Sequence, residues 1–293
     1  MADPGKRLDS NVPGNFYVDA TCINCDTCRQ LAPLSFEEIG GYSAVSNQPG
    51  DMAQIHQAYQ ALLACPVGSI GTEQNDKSRL QAARESFPLH LEDGVSYCGF
   101  NSEKSFGANS FFIDHPDGNW LIDSPRYIKP LVEVFEQRGG IAHIFLTHKD
   151  DVADADKYAT HFGSERIVHQ ADLEAAPSAE RVIAGEGMVP IGSEFQVIPV
   201  PGHTAGSMAL LYRGRFLFTG DHLWWDSHSR SLEAPTRLVW RKWTLMDSIR
   251  KLLDYRFEWV LAGHGDRVRC SSVDMHAHLV ALLERREKRA RFR

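Results

Sequence analysis

The chain holds 293 residues, 43% of them hydrophobic and 24% charged, with a formal net charge of −7. That length admits two domains, and the mixed composition excludes fibrous, repetitive and low-complexity architectures. The acidic balance excludes a general nucleic-acid binder, which needs a phosphate-neutralising surface, and no apolar run is long enough to span a bilayer. The opening MADPGKRLDSNVPG lacks the apolar core of a secretory signal and the Arg- and Ser-rich character of a transit peptide. A cytoplasmic location is therefore expected, or an organelle stroma if a transit peptide has been removed. The charge is uneven: residues 1–80 hold five Lys/Arg against nine Asp/Glu, and Glu284 to Arg293 hold six Lys/Arg against two Glu. The basic tail reads as a solvated helix end, with a docking patch for an acidic partner as the alternative.

Four of the six cysteines lie close together. Cys22, Cys25 and Cys28 are separated by two-residue gaps, and Cys65 follows 37 residues after Cys28, with Pro66 directly behind it. Without an export signal, this clustering points to metal ligation rather than to disulfides. An iron–sulfur cube takes one thiolate per corner iron. A short turning loop presents three of them, and the fourth arrives from elsewhere in the fold. The pattern, over residues 14 to about 75, resembles the bacterial-type ferredoxins. The resemblance implies one [4Fe–4S] cluster on Cys22, Cys25, Cys28 and Cys65, because no second triplet occurs and every ligand position is cysteine. It also implies electron transfer with a redox partner protein, which the acidic surface would dock. A zinc site is the alternative, although zinc favours paired knuckles. A helix over 54–64 is expected to deliver Cys65. Asp26, Glu37 and Glu38 read as solvated charges.

The polar stretch GTEQNDKSRLQAAR, residues 71–84, reads as a linker between a domain at 1–80 and a second at 85–293. Beyond it, apolar runs at 110–114 and 119–124 flank HPDG, a hairpin signal. Helices are expected over 128–137, 152–162 and 245–255, and strands over 141–148, 166–169, 195–203, 208–212, 215–222 and 257–265. A basic helix closes the chain. Cys98 and Cys270 read as structural or free thiols, and His161, His169 and His228 as surface residues. Trp224, Trp225, Trp240 and Trp243 read as core or pocket-wall residues, with substrate stacking as the alternative.

Four of those strands end on a His or an Asp: His148, His203, Asp221 and His264. Strand ends on one sheet edge converge, and imidazole with carboxylate suits Zn or Fe. The motifs TH (147–148), PGHTAGS (201–207), TGDH (219–222) and AGHG (262–265) resemble the metallo-β-lactamase superfamily, and its glyoxalase-II-like members in flavour. The resemblance implies an α+β chain whose N-terminal ferredoxin-like domain precedes a four-layer αβ/βα sandwich. It implies His203 and His264 as metal ligands and Asp221 as the carboxylate shared by two metal positions. His222 belongs to the GDH turn.

The first motif departs from the superfamily's T-H-x-H-x-D-H, because this chain reads THKDDVADAD. Aligned without gaps, His148 stays, Asp150 replaces the second His, Val152 the Asp and Ala153 the last His. With a two-residue insertion, Asp151 and Asp154 take the second and third places and Ala155 the last. His148, His203 and Asp221 remain, a set that can form the facial triad of non-haem iron. A persulfide dioxygenase branch of the superfamily uses the corresponding positions. Asp150 or Asp151 would add a hard oxygen ligand or a catalytic carboxylate, and either could equally be a helix N-terminal acid. Asp154 reads as such an acid. Three functions follow. One is a metal-dependent hydrolase of a small-molecule substrate. The second is a non-haem iron oxidoreductase served by the fused ferredoxin, an arrangement with an architectural parallel in flavodiiron proteins. The third is a non-enzymatic electron carrier or binding module.

Overall fold

The computed structural model describes residues 2–291, so the last two residues of the basic tail lie outside the described residues. By its contacts the chain forms two compact units, Met1–Ala142 with Ala153–Phe162, and His143–Val152 with Gly163–Arg293. Both mix helix and strand. Among the described residues, no helix is long and apolar enough to cross a membrane.

The first unit begins with β1 (Phe16–Val18), α1 (Thr27–Leu31), β2 (Phe36–Ile39), β3 (Tyr42–Val45), α2 (Met52–Ala64), β4 (Ile70–Thr72) and α3 (Lys77–Glu85). β1 pairs antiparallel with β4, and β2 with β3. Asn24 and Asp26 take left-handed backbone angles (φ 56° and 64°), which turns the loop ahead of α1 back on itself. α2 starts on Asp51, whose carboxylate accepts the Gln54 N–H, while the Gln54 side chain accepts the Gly50 N–H. This reciprocal cap fixes the start of the helix. It ends at Cys65, ahead of Pro66, which has no N–H to continue it.

The stretch expected to be a linker carries regular structure. Its first residues finish β4, and Asp76 accepts the Ser78 and Arg79 N–H groups to start α3. α3 buries only Ala83, so it carries no apolar stripe for sequence to reveal. Beyond it, β5 (Leu89–Glu92), β6 (Val95–Tyr97), β7 (Phe111–Ile113) and β8 (Trp120–Ile122) form an antiparallel meander. β5 and β6 join through Asp93-Gly94, both at positive φ, as a tight hairpin requires. α4 (Lys129–Gln137) buries Leu131, Val132 and Phe135, and Phe135 stacks on Phe112 at 4.7 Å between centroids. α5 (Ala155–Phe162) completes the unit. It starts three residues later than expected, after Ala153 at positive φ (36°). Ahead of it, Asp154 accepts Lys104 Nζ at 2.7 Å, Lys157 Nζ at 3.1 Å and the Tyr127 N–H at 3.0 Å. That carboxylate is fully used in tying strand-connecting segments together.

The second unit opens with the parallel strands β9 (His143–Phe145), β10 (Glu165–His169) and β11 (Arg181–Ile183). Next come β12 (Val189–Ile191), β13 (Phe195–Pro199), β14 (Met208–Tyr212), β15 (Phe216–Gly220), the hairpin β16 (Trp224–Asp226) and β17 (Ser231–Glu233), α6 (Lys242–Lys251), β18 (Trp259–Ala262), β19 (Val268–Arg269) and α7 (Ser272–Arg291). The sheet order is β12-β13-β14-β15-β18-β19, antiparallel except for the parallel pair β15–β18. Hence β13, β15 and β18 all run the same way, and their C-terminal ends share one edge.

β14 and β15 are buried at every position, so they read as continuous apolar runs rather than alternating ones. Leu245 and Ile249 of α6 and Met275, Leu279 and Leu282 of α7 pack on Ile198, Leu211, Leu217 and Val260 in one apolar core. Each such side chain contributes roughly 1.5–3 kcal/mol by leaving water. Trp240 and Trp243, expected in the core or a pocket wall, are exposed at 48% and 78%. Trp224 and Trp225 are half-buried. Of the histidines expected at the surface, His161 and His228 are exposed. His169 is partly exposed and accepts the Ala171 N–H, and His161 bonds Tyr127 and Glu136.

Candidate functional site

His148 follows β9 and is followed by the 3-10 turn Lys149–Asp151. Its ring is buried. Nδ1 meets the Thr147 hydroxyl at 3.0 Å, which leaves Nε2 facing inward with no hydrogen-bond partner. Burial holds the His148 pKa below the usual imidazole value, although the Asp221 carboxylate works the other way. The ring is thus neutral near pH 7, the form that offers a lone pair to a metal.

His203 sits in the turn 201–206 after β13, Asp221 directly after β15 and His264 after β18. His148, His203 and Asp221 each place one donor atom within 4.8 Å of the others. Asp221 Oδ2 lies 3.8 Å from His148 Nε2, 3.7 Å from His203 Nε2 and 3.8 Å from His264 Nε2. One carboxylate oxygen therefore faces all three imidazoles.

The two consecutive aspartates diverge. Asp150 is solvent-exposed, yet its Oδ2 reaches 3.4 Å from His203 Nε2 and 3.8 Å from His148 Nε2. Asp151 is buried, with Oδ2 3.8 Å from His148 Nδ1 on the opposite side of that ring. A Cβ built on Gly263 would lie 2.8 Å from Asp151 Oδ2 and 2.8 Å from Asp221 Oδ1. Glycine at that position leaves room for two carboxylate oxygens to converge. His222, next to Asp221, is buried, has no partner on either nitrogen, and burial pushes its pKa down to about 3. It is a neutral packing residue.

The residue that sequence reading passed over is Asp172. Buried in the turn Gln170–Ala175, it accepts the Lys149 N–H at 3.0 Å, the Gly206 N–H at 3.0 Å and the Thr204 hydroxyl at 2.5 Å. It thereby ties the His148 loop to the His203 loop. Gly206 suits this contact, since a Cβ there would collide with Asp172. Only an Asp followed by an apolar residue marks it in the sequence, a signal too common to use. Asp172→Ala is expected to lower metal affinity or turnover by about 10- to 100-fold, as loss of an outer supporting residue does. Metal titration of the variant checks it, and an unchanged affinity and rate would remove Asp172 from the site.

The donors suit a hard or borderline divalent metal: two imidazoles, a shared carboxylate, and a second carboxylate where imidazole is commoner. The cysteines form a separate site in the first unit. Cys22, Cys25, Cys28 and Cys65 line one pocket, with apolar walls from Val18, Ile23, Val67 and Ile70 and hydroxyls from Thr27, Ser43 and Ser69. The Asn24 N–H points at Cys22 Sγ (3.4 Å) and the Ser69 N–H at Cys65 Sγ (3.3 Å). Burial pushes the Cys25 thiol up to about 11 and raises Cys28 and Cys65 as well. Four thiols gathered around one pocket fit an iron–sulfur cluster, whose irons hold them as thiolates. Cys98 is buried beside Ser110, and Cys270 packs near Met275.

Residues 87–283 match the family model described as "Metallo-beta-lactamase superfamily", and the chain belongs to that superfamily. Residues 18–72 match the "4Fe-4S single cluster domain of Ferredoxin I". A hydroxyacylglutathione hydrolase of Cereibacter sphaeroides is 32% identical over 152 residues, 49% of this chain and 57% of that protein. Another, of Xanthomonas axonopodis pv. citri, is 27% identical over 179 residues, 59% of this chain and 68% of that protein. The alignment thus spans little more than half the length of the first relative. Both are of the glyoxalase-II type that the motifs resemble. Among solved structures, the BLEG-1 B3 metallo-beta-lactamase is 20% identical with a TM-score of 0.51, covering 64% of this chain and 99% of that one. The DIM-1 metallo-beta-lactamase is 14% identical with a TM-score of 0.50, covering 67% and 95%. These likenesses carry the fold alone.

Proposed function

We propose that the chain is a metal-dependent hydrolase of a small-molecule ester or thioester. On this reading residues 85–293 form the four-layer catalytic sandwich, and residues 1–80 form a ferredoxin-like domain with one [4Fe–4S] cluster on Cys22, Cys25, Cys28 and Cys65. The observation that carries the reading is the convergence of His148, His203 and Asp221, with the Asp150 carboxylate beside both imidazoles. The hydrolase relatives support it.

His148, His203, Asp221 and Asp150 would hold the metal. When bound there, a zinc or iron ion supplies Lewis acidity and makes a water nucleophilic at neutral pH. Thr147 holds the His148 ring with Nε2 inward. Asp150, on the exposed side, is placed to accept a proton at Oδ2 when it is not itself a ligand. Asp151, with Asp221 Oδ1 and His264, offers donors to a second metal position. Thiol ligands suit a reducing compartment, the cytoplasm or an organelle stroma.

A second reading, a non-haem iron oxidoreductase, is favoured by one specific feature. Asp150 at an imidazole position makes the donor set richer in oxygen, which suits iron, and an electron carrier sits in the same chain. Metal analysis of the full-length protein decides between the two. Iron matching acid-labile sulfide belongs to the cluster, and any remainder belongs to the second site. Zinc there, with ester or thioester turnover, is the expected result. One extra iron with oxygen- or reductant-dependent turnover would replace the hydrolase by the oxidoreductase. Absence of both zinc and extra iron would sink both readings.

A further inference from the structure

Residues 101–126, which fall in the metallo-beta-lactamase match rather than in the ferredoxin match, abut Cys25 and bond the last turn of α2 just before Cys65. Gly107 (φ 88°) lies so close to Cys25 that an added Cβ would sit 2.7 Å from its Cβ, 2.9 Å from its Sγ and 3.0 Å from Pro66 Cγ. Its carbonyl accepts the buried Asn101 Nδ2 at 2.7 Å and the Thr27 hydroxyl at 3.3 Å. Asn101 Nδ2 also donates to Thr27 Oγ1 at 3.1 Å, and Oγ1 lies 3.4 Å from Cys25 Sγ. Asn101 is itself fixed by the Tyr97 hydroxyl, which donates to its Oδ1 at 2.7 Å.

A second set of contacts ends on the two residues before Cys65. The last carbonyls of α2 have no partner within the helix. Here the Asn101 N–H donates to Ala64 O at 3.1 Å and Arg126 Nη2 to Leu63 O at 2.7 Å. A cation at a helix C-terminus is favourable, and this helix is capped by Cys65 itself. Burial pulls the Arg126 pKa down, and Cys65 is the group that most offsets it.

We propose that Asn101, Gly107 and Arg126 complete the iron–sulfur site as positioning residues for Cys25 and Cys65. The cluster's potential and lifetime are then set in part by the metallo-beta-lactamase segment. The inference rests on residues 18–72 holding a [4Fe–4S] cluster. Reduction adds one electron, from a low-potential donor such as dithionite, and so one negative charge. A half-buried guanidinium at the end of the helix that Cys65 caps stabilises that added charge and raises the potential.

The test uses the full-length chain under anaerobic conditions. Arg126→Gln, Arg126→Lys and Asn101→Ala are compared with wild type by dithionite titration followed by electron paramagnetic resonance, and by the rate of iron loss to a chelator. Arg126→Gln is expected to lower the reduction equilibrium constant about tenfold, which is 59 mV for one electron, with Arg126→Lys recovering part of it. Asn101→Ala is expected to speed iron loss. A cluster present in all four proteins with unchanged potential and unchanged iron loss would overturn the inference. A wild-type chain that takes up no cluster would overturn the reading beneath it as well.

Discussion

His203→Ala is expected to strip the metal from the strand-end site and to lower turnover by more than about 100-fold, since removing even an outer supporting residue costs 10- to 100-fold. His203 Nε2 faces both Asp150 at 3.4 Å and Asp221 at 3.7 Å, so its loss leaves two carboxylates with one imidazole between them. Those carboxylates then repel each other without a central cation. Metal content and steady-state rate check this together. Iron equal to acid-labile sulfide should be unchanged, because the cysteines belong to the other compact unit. Retained activity in His203→Ala would mean that chemistry happens elsewhere and that the retained motifs hold a scaffold only.

The strand-end grouping was legible because β-strand direction is simple. His203, Asp221 and His264 follow strands that run the same way in one sheet, and each follows a buried apolar run that marks its strand. What Asp150 and Asp151 do was not legible, because the backbone turn decides it. The 3-10 turn Lys149–Asp151 sends one carboxylate toward His203 and the next behind His148. No periodicity in a three-residue turn announces that. Asp172 was invisible because its role is made by tertiary contacts with Lys149, Thr204 and Gly206, far off in sequence. α3 was invisible for the reverse reason, that a helix burying a single alanine carries no hydrophobic pattern. Asp76 as a cap was its one local signal.

Cys28→Ala is expected to eliminate the cluster, so that iron matching acid-labile sulfide falls to background and the visible absorption disappears. Cys28 suits this test better than Cys25, which abuts Gly107, so that a change there would disturb the segment carrying Asn101 as well. Cys28 lies instead on α1, buried, with a thiol that burial drives upward and that only a bound cation keeps ionised. Its removal leaves three thiols in the pocket and one corner iron without a protein ligand, from which the cluster is lost. The consequence for turnover separates the two readings of the molecule. A hydrolase draws its nucleophile from water and needs no electron, so ester or thioester turnover and the metal at His148, His203 and Asp221 should both persist. An oxidoreductase fed through the cluster should keep that metal and lose its turnover. Joint loss of metal and turnover would instead mean that the cluster holds the fold around Asn101 and Arg126 together, which a parallel drop in melting temperature would register.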